Sequence, residues 1–328
     1  MHRHIERMEH LLMTLLSVLL LTACEREGAE EQRTSLHVTT MMAGTANTRT
    51  TSTSLQSTAL DTRNTAGIFA FLAGETSVTD GFGYENLAYA YINGAWKHAA
   101  IYFPVIETEK LDIYVYAPRL SSISSLNNIP VTVATDQTAE VDYLTSDFVF
   151  GNVKNVENPG DNTAKNVSVT LYHAMSKVIL NIQDKDGVTS TLGQLSKVEI
   201  GSERFPVMTD AYINITKSIS SNSDLTSTAA ILTGGTPGIV TLMDVSSTDL
   251  QFSMAGILPP QQLGGGNNLT LYFDNGGQIS TFEGTISQTL RAGYAYTFTV
   301  VIDQSELTIL SASIVPWATT ESVSKVLN

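Results

Sequence analysis

The chain has 328 residues, of which 42% are apolar and 15% charged, with 32 acids against 18 lysines and arginines and a net charge of −14. That length suits about two domains of ordinary size, and the acidic balance excludes nucleic acid and an anionic membrane surface as partners. The single cysteine, Cys24, excludes internal disulfides and cysteine-rich zinc sites.

Residues 1–23 read as a signal peptide. His2, Arg3, His4 and Arg7 make a basic start, and the apolar run Leu11 to Leu21 is too short to cross a bilayer as a helix. Met8 is a second candidate start, which would drop the basic stretch. Leu21-Thr22-Ala23-Cys24 resembles a bacterial lipobox, in which the chain is cut before the cysteine and the thiol carries lipid. A thiolate is the side chain most readily alkylated, and acyl chains add about 0.8 kcal/mol of membrane affinity per buried CH₂. A secretory signal with a chance cysteine is the plainer alternative.

Residues 24–49 follow as a tether and a first strand. Glu25 to Thr34 is polar and acidic, and Leu36 to Met42 is strand-like. Ala43 to Thr58 is rich in Thr, Ser and Asn, a composition that packs poorly and suits a protease-accessible segment, with Arg49 at its middle. Arg63 sits in a similar setting.

From Gly67 the chain reads as strands. LDIYVYAP places Leu111, Ile113 and Val115 on one face and Tyr114 and Tyr116 on the other. Val149 to Asn166, rich in Asn, Gly and Asp, reads as a long loop. NVSVTLYHAMSKVILNIQ is the longest apolar stretch of the middle, and Asp184 to Gly187 is a turn signal after it. Asp274-Asn275-Gly276-Gly277 is a second turn signal. GYAYTFTVVI alternates Tyr294, Tyr296, Phe298, Val300 and Ile302. No segment keeps a 3.6-residue period over twelve residues. The pattern predicts an all-β chain of two sandwiches, residues 50–170 and 171–328.

Motifs for chemistry are missing. The sequence holds no HExxH, GxSxG, phosphate-binding glycine loop or CxxC, so no enzyme, cofactor or metal site is expected. Asp184 and Asp186 have a calcium-loop spacing without the distal glutamate. His98 follows Trp96-Lys97 in an expected hairpin. His173 lies in an apolar strand and reads as a hydrogen-bonded core histidine. Tyr84, Tyr89, Tyr91, Trp96, Tyr102 and Phe103 cluster in sequence; such aromatics are cross-strand packing pairs or, alternatively, the sugar platform of a surface glycan-binding lipoprotein.

The order of these pieces resembles the fimbrillins, subunits and accessory proteins of the type V pili of anaerobic Gram-negative bacteria. WKHAAIYFPVIETEKLDIYVYAP, YLTSDFVFG with LYHAMSKVILNI, AGYAYTFTVVI and the terminal IVPW carry the resemblance. It implies two transthyretin-like β-sandwich domains and export as an outer-membrane lipoprotein on Cys24. It further implies removal of a first strand, holding Leu36, Val38 and Met41, by an arginine-specific protease. Arg49 matches the cut position, with Arg63 as the alternative. The vacated groove takes a strand from a neighbouring pilus subunit, for which Leu307, Ile309, Ile314 and Trp317 are the donor candidates here. A C-terminal strand integral to its own domain would instead mark a cap, tip or anchor. The adhesive ligand, on host or bacterial surface, is not legible.

Overall fold

The computed structural model describes residues 33–43, 65–93, 95–160, 163–185, 192–246, 252–303, 306–310 and 312–317. The first half supplies β1 (Ser35–Met42), β2 (Ala66–Leu72), β3 (Tyr84–Ile92), β4 (Ala95–Lys97), β5 (Ile101–Tyr102), β6 (Leu111–Ala117), β7 (Ile129–Thr132), β8 (Val149–Val156) and β9 (Lys165–His173). All but β7 are hydrogen-bonded in the order β4-β3-β2-β6-β8-β9-β1-β5.

That ribbon folds over at β9. The end of β9 pairs with β8, His173 opposite Val149 and Tyr172 opposite Phe150. Its earlier residues, Lys165 to Leu171, pair with β1. One strand thus serves two layers, and the layers close on a core that includes Leu36, Val38, Ile68, Phe103, Ile113 and Val169. At the corner Gly151 lies against β9, where a Cβ would sit 1.9 Å from the Thr170 carbonyl oxygen. Because that neighbour is backbone, Gly151→Ala is expected to cost about 2 kcal/mol through overpacking. The loss should read as a fall of several degrees in melting temperature.

Every residue of β6 is buried, as for a strand covered on both faces. Leu111, Ile113 and Val115 enter the sandwich core, whereas Tyr114 and Tyr116 enter a second core with Phe69, Phe71 and Phe148. The buried Asp112 carboxylate accepts the N–H groups of Gly74 (3.1 Å) and Asn155 (2.8 Å) and the Tyr114 hydroxyl (3.3 Å). Burial, and then the Asp112 charge, raise the Tyr114 phenol.

The expected loop from Val149 to Asn166 is wrong for its first half, because Val149–Val156 is β8, a strand between β6 and β9. Its asparagines mislead because they bond rather than loop out. The Asn152 amide donates to the carbonyls of Ile215 and Lys217, and Asn155 takes a positive φ of 56° beside the carboxylate of Asp112. Two six-residue helices, Glu140–Thr145 and Asn222–Ser227, were also invisible to a twelve-residue period.

In the second half, β10 (Ser176–Asp184) lies between Ser253–Leu258, antiparallel, and Tyr294–Asp303, parallel. β11 (Gln194–Ile200) pairs with Leu269–Asn275, which pairs in turn with Gln278–Gly284. The two sheets enclose Val178, Leu180, Val198, Leu271, Phe298 and Val300. Asp274 to Gly277 does form the expected hairpin turn, closed by Gly276 (φ 64°) and Gly277 (φ 95°). The chain after β10 crosses instead to the other sheet.

A middle core joins the halves. It takes Tyr116 and Phe150 from the first sandwich, Ile179 and Ile257 from the second, and Trp317 from the end of the described chain. β7 adds a direct ladder, Ile129 to Thr132 against Asp210–Ile213. Strand β9 runs through the expected division after residue 170, and the chain changes sheet at Ala174-Met175.

Candidate functional site

The seat of β1 is the most distinctive site in the fold. SLHVTTMM alternates, so Leu36, Val38 and Met42 are buried while His37 and Thr39 face out. Met41 lies in the strand as expected, but Met42 makes the inward contact and Met41 is half-buried. The inner edge is a continuous parallel ladder, Leu36 to Met42 against Lys165 to Leu171. Burying three such side chains contributes about 6 kcal/mol, comparable to the net stability of a whole domain.

The outer edge is covered differently. β5 pairs only Ser35 and Leu36. Beyond it two side chains take over. The Val38 N–H donates to His98 Nε2 at 3.0 Å, and the Tyr89 hydroxyl bonds with the Thr40 backbone and side chain. Burial raises the Tyr89 phenol, and those Thr40 bonds oppose the rise. Both groups come from the β3–β4 hairpin and the residue after it. Neither contact is legible in the sequence, since His98 and Val38 are 60 residues apart.

Cys24, Arg49 and Arg63 lie outside the described residues, as does all but the first residue of the segment Ala43 to Thr58.

The donor candidates are divided. Glu306–Ile309 and Ser313–Pro316 both pair antiparallel with Tyr294–Asp303, at its two ends. Leu307 and Ile309 pack against the core of their own sandwich. Ile314 points outward at 40% exposure. Trp317 is buried in the middle core, its backbone N–H donating to the Gly293 carbonyl at 2.7 Å.

Trp317 lies flat on His173, with ring centroids 3.9 Å apart and an interplanar angle of 5°. His173 Nδ1 bonds the Asp147 carboxylate at 2.9 and 3.0 Å, and the Lys177 ammonium stands 5.7 Å from the Trp317 ring centroid. Burial, and then Asp147, raise the neighbouring Tyr143 phenol. A buried His–Asp pair has the form of a catalytic dyad, but His173 is 1% exposed and its ring is covered by Trp317. It is a hydrogen-bonded core histidine.

The aromatic cluster is packing too. Tyr89 stacks on Trp96 at 5.1 Å, and Tyr91 meets Trp96 edge-on at 5.9 Å, so the Trp96 ring is engaged by its own hairpin. A depression of about 540 Å³ on the second sandwich is lined by Glu199, Phe205, Tyr272 and Glu283. Its groups are already partnered: Glu199 accepts from Lys197 and Tyr272, and Glu283 from Asn267. Burial, and then the Glu199 bond and charge, push the Tyr272 phenol up to about 12. Among the described residues no three metal-ligating side chains converge.

Comparison with known proteins agrees with this architecture. A family model described as fimbrillin-like matches residues 48–317. The fold is similar to that of a candidate cell adhesion protein from Bacteroides uniformis, at a TM-score of 0.60 and 21% identity over 88% of this chain and 100% of that one. It is also similar to another from Bacteroides ovatus, at a TM-score of 0.58 and 16% identity over 87% and 98%. No curated protein matches.

Proposed function

The chain belongs to the fimbrillin-like family, and from that premise we propose that it is a structural or accessory subunit of a cell-surface fimbria serving adhesion. It is exported as a lipoprotein on Cys24 and held at the outer membrane by that anchor. An arginine-specific protease cuts after Arg49, or after Arg63, and the chain joins other pilus subunits by donor-strand exchange.

The observation that carries this reading is the seat of β1: a strand inserted between β9 and β5, followed directly by a polar segment bearing Arg49. Losing such a strand uncovers a row of backbone N–H and C=O groups and an apolar slot, which another strand repairs by β-augmentation. While the linker is intact, β1 competes at the high effective concentration of a tethered segment. A cut removes that advantage. Head-to-tail repetition of the contact does not close and yields a filament. The packing of Leu307, Ile309 and Trp317 into their own chain supports an accessory place, at tip or anchor, over a repeating stalk.

Incubation with an arginine-specific protease is expected to give one new N-terminus at Thr50, loss of β1, and pairing with fimbrial subunits. Arg49→Ala should block all three. A new N-terminus at Asn64 assigns the cut to Arg63. A cut chain that sheds β1 and pairs with no other subunit would overturn the assembly reading.

A further inference from the structure

We propose that the depression on the outer face of the second sandwich binds a neutral sugar. This gives the adhesive reading a ligand class and rests on that reading for its biological use, but not on the release of β1. The floor is the solvent side of the sheet that holds β11. Val198, Leu271 and Phe282 turn into the core, so the residues alternating with them face outward. They align in two rows, Glu199 beside Thr270 beside Glu283, and Lys197 beside Tyr272 beside Thr281. Glu199, Thr270, Tyr272, Thr281 and Glu283 all line the depression. Its volume of about 540 Å³ falls within the range of about 300–1,000 Å³ for small-ligand sites.

The wall is a built turn, Ser202 to Phe205. The Ser202 N–H donates to the Phe205 carbonyl and the Phe205 N–H to the Ser202 hydroxyl, both at 3.1 Å. That hydroxyl donates in turn to the Asn267 carbonyl at 2.8 Å. The Phe205 ring lies on Gly265 and Gly266, and a Cβ at Gly266 would stand 2.3 Å from it. The glycine run 264–266 is what lets the ring come this close to backbone. On the floor, Glu199 accepts from Lys197 at 2.8 Å and from Tyr272 at 2.7 Å, one bond to each oxygen. The Asn267 amide donates to Glu283 Oε2 at 2.8 Å, which orients that carboxylate and leaves Oε1 to accept. These internal bonds set the shape in advance, so little ordering cost falls on binding.

The chemistry selects an uncharged polyol. Phe205 and Tyr272, each half-buried, offer apolar surface to the C–H groups of a sugar ring. Glu283 Oε1 accepts from sugar hydroxyls, Arg204 donates to them, and Thr270 and Thr281 can do both. Three carboxylates line the site, Glu199, Glu203 and Glu283, and they turn away an acidic sugar. A cationic ligand fares no better, because each ring already carries a positive group. Arg204 stands 5.4 Å from the Phe205 ring centroid and Lys197 4.1 Å from that of Tyr272. A neutral ligand with hydroxyls around an apolar ring meets none of these penalties.

Saturation-transfer NMR and calorimetry on the full uncut chain test this with the methyl glycosides of glucose, galactose, mannose, fucose and N-acetylglucosamine. N-acetylneuraminic acid and lysine amide are the charged probes. At least one neutral glycoside is expected to bind saturably with a Kd below about 10 mM, the weak end of specific affinity. Glu283→Ala should weaken it about tenfold, the worth of a hydrogen bond to a charged group, and Phe205→Ala by about as much through lost ring contact. Glu283 is exposed, so its variant keeps the fold and serves where Phe205→Ala does not. Tyr212→Ala, at an exposed tyrosine on a different sheet, should leave affinity unchanged. No saturable binding of any neutral glycoside, preference for either charged probe, or full affinity retained in Glu283→Ala and Phe205→Ala overturns the site. None of these outcomes bears on assembly, which is read from protease cleavage and the loss of β1.

Discussion

A chain carrying Val38→Asp is expected to shed β1 from its seat without any cut. Val38 is 3% exposed and faces the first sandwich core. Its apolar surroundings offer a carboxylate no partner. Burying an unpaired charge costs several kcal/mol even after relaxation, which consumes most of the roughly 6 kcal/mol that the three inward side chains contribute. A loss of about 4 kcal/mol shifts the seating equilibrium about a thousandfold. Exchange and protease access across residues 35–42 should rise to those of an unseated segment. The substituted chain should pair with added fimbrial subunits while uncut, because the slot is open. Thr39→Asp, one residue along on the exposed side, is the matched control; it gives up only the hydroxyl bond to the Val167 carbonyl, about 1 kcal/mol, and should keep β1 seated. Collapse of the entire first sandwich in Val38→Asp, seen as lost near-ultraviolet signal, would make β1 an integral strand and not a removable one.

How much of this was legible depended on the distance over which each residue acts. The strand at Leu36 to Met42 and the hairpin at Gly276-Gly277 were legible because both signals are local. Met41 lies in that strand, but which methionine faces the core, Met42 and not Met41, is not legible in so short a run. β8 was missed for a different reason. Its Asn152 and Asn155 look like loop residues until the carbonyls of Ile215 and Lys217 and the carboxylate of Asp112 are brought beside them. His98 and Asp147 were opaque on the same grounds: Val38 is 60 positions from one and His173 is 26 from the other. The aromatic cluster reads as cross-strand packing with a sugar platform as the alternative, and the contacts of Tyr89 and Tyr91 with Trp96 are packing. Composition did reveal the all-β class, since β-branched and aromatic residues suit half-buried pleated surfaces wherever they pair.

Trp317→Ala is expected to separate the accessory from the stalk role. Trp317 is 5% exposed, lies flat on His173 and ties its own backbone to Gly293. Truncating a buried tryptophan costs about 3–5 kcal/mol, so melting temperature should fall by about ten degrees for a chain of this size. The strand just before it, Ser313–Pro316, has only four ladder positions on Tyr294–Thr297 and should fray, with faster amide exchange. Asp147→Ala should act on the same stack, because it leaves His173 Nδ1 without its acceptor. The two substitutions are in contact through His173 and should couple by more than about 0.5 kcal/mol in a double-mutant cycle. On the proposed mechanism a stalk subunit gives its C-terminal strand to a neighbour, so loosening that strand would speed polymer growth after the proposed cut at Arg49. An accessory subunit keeps the strand for itself. In this chain Leu307 and Ile309 are half-buried against the core of their own sandwich, so on the accessory reading loosening the C-terminal strands only weakens the fold. The expected outcome is lower stability with no gain in self-polymerisation. Faster polymers from Trp317→Ala would instead make the His173–Trp317 stack a brake on donation and this chain a stalk subunit.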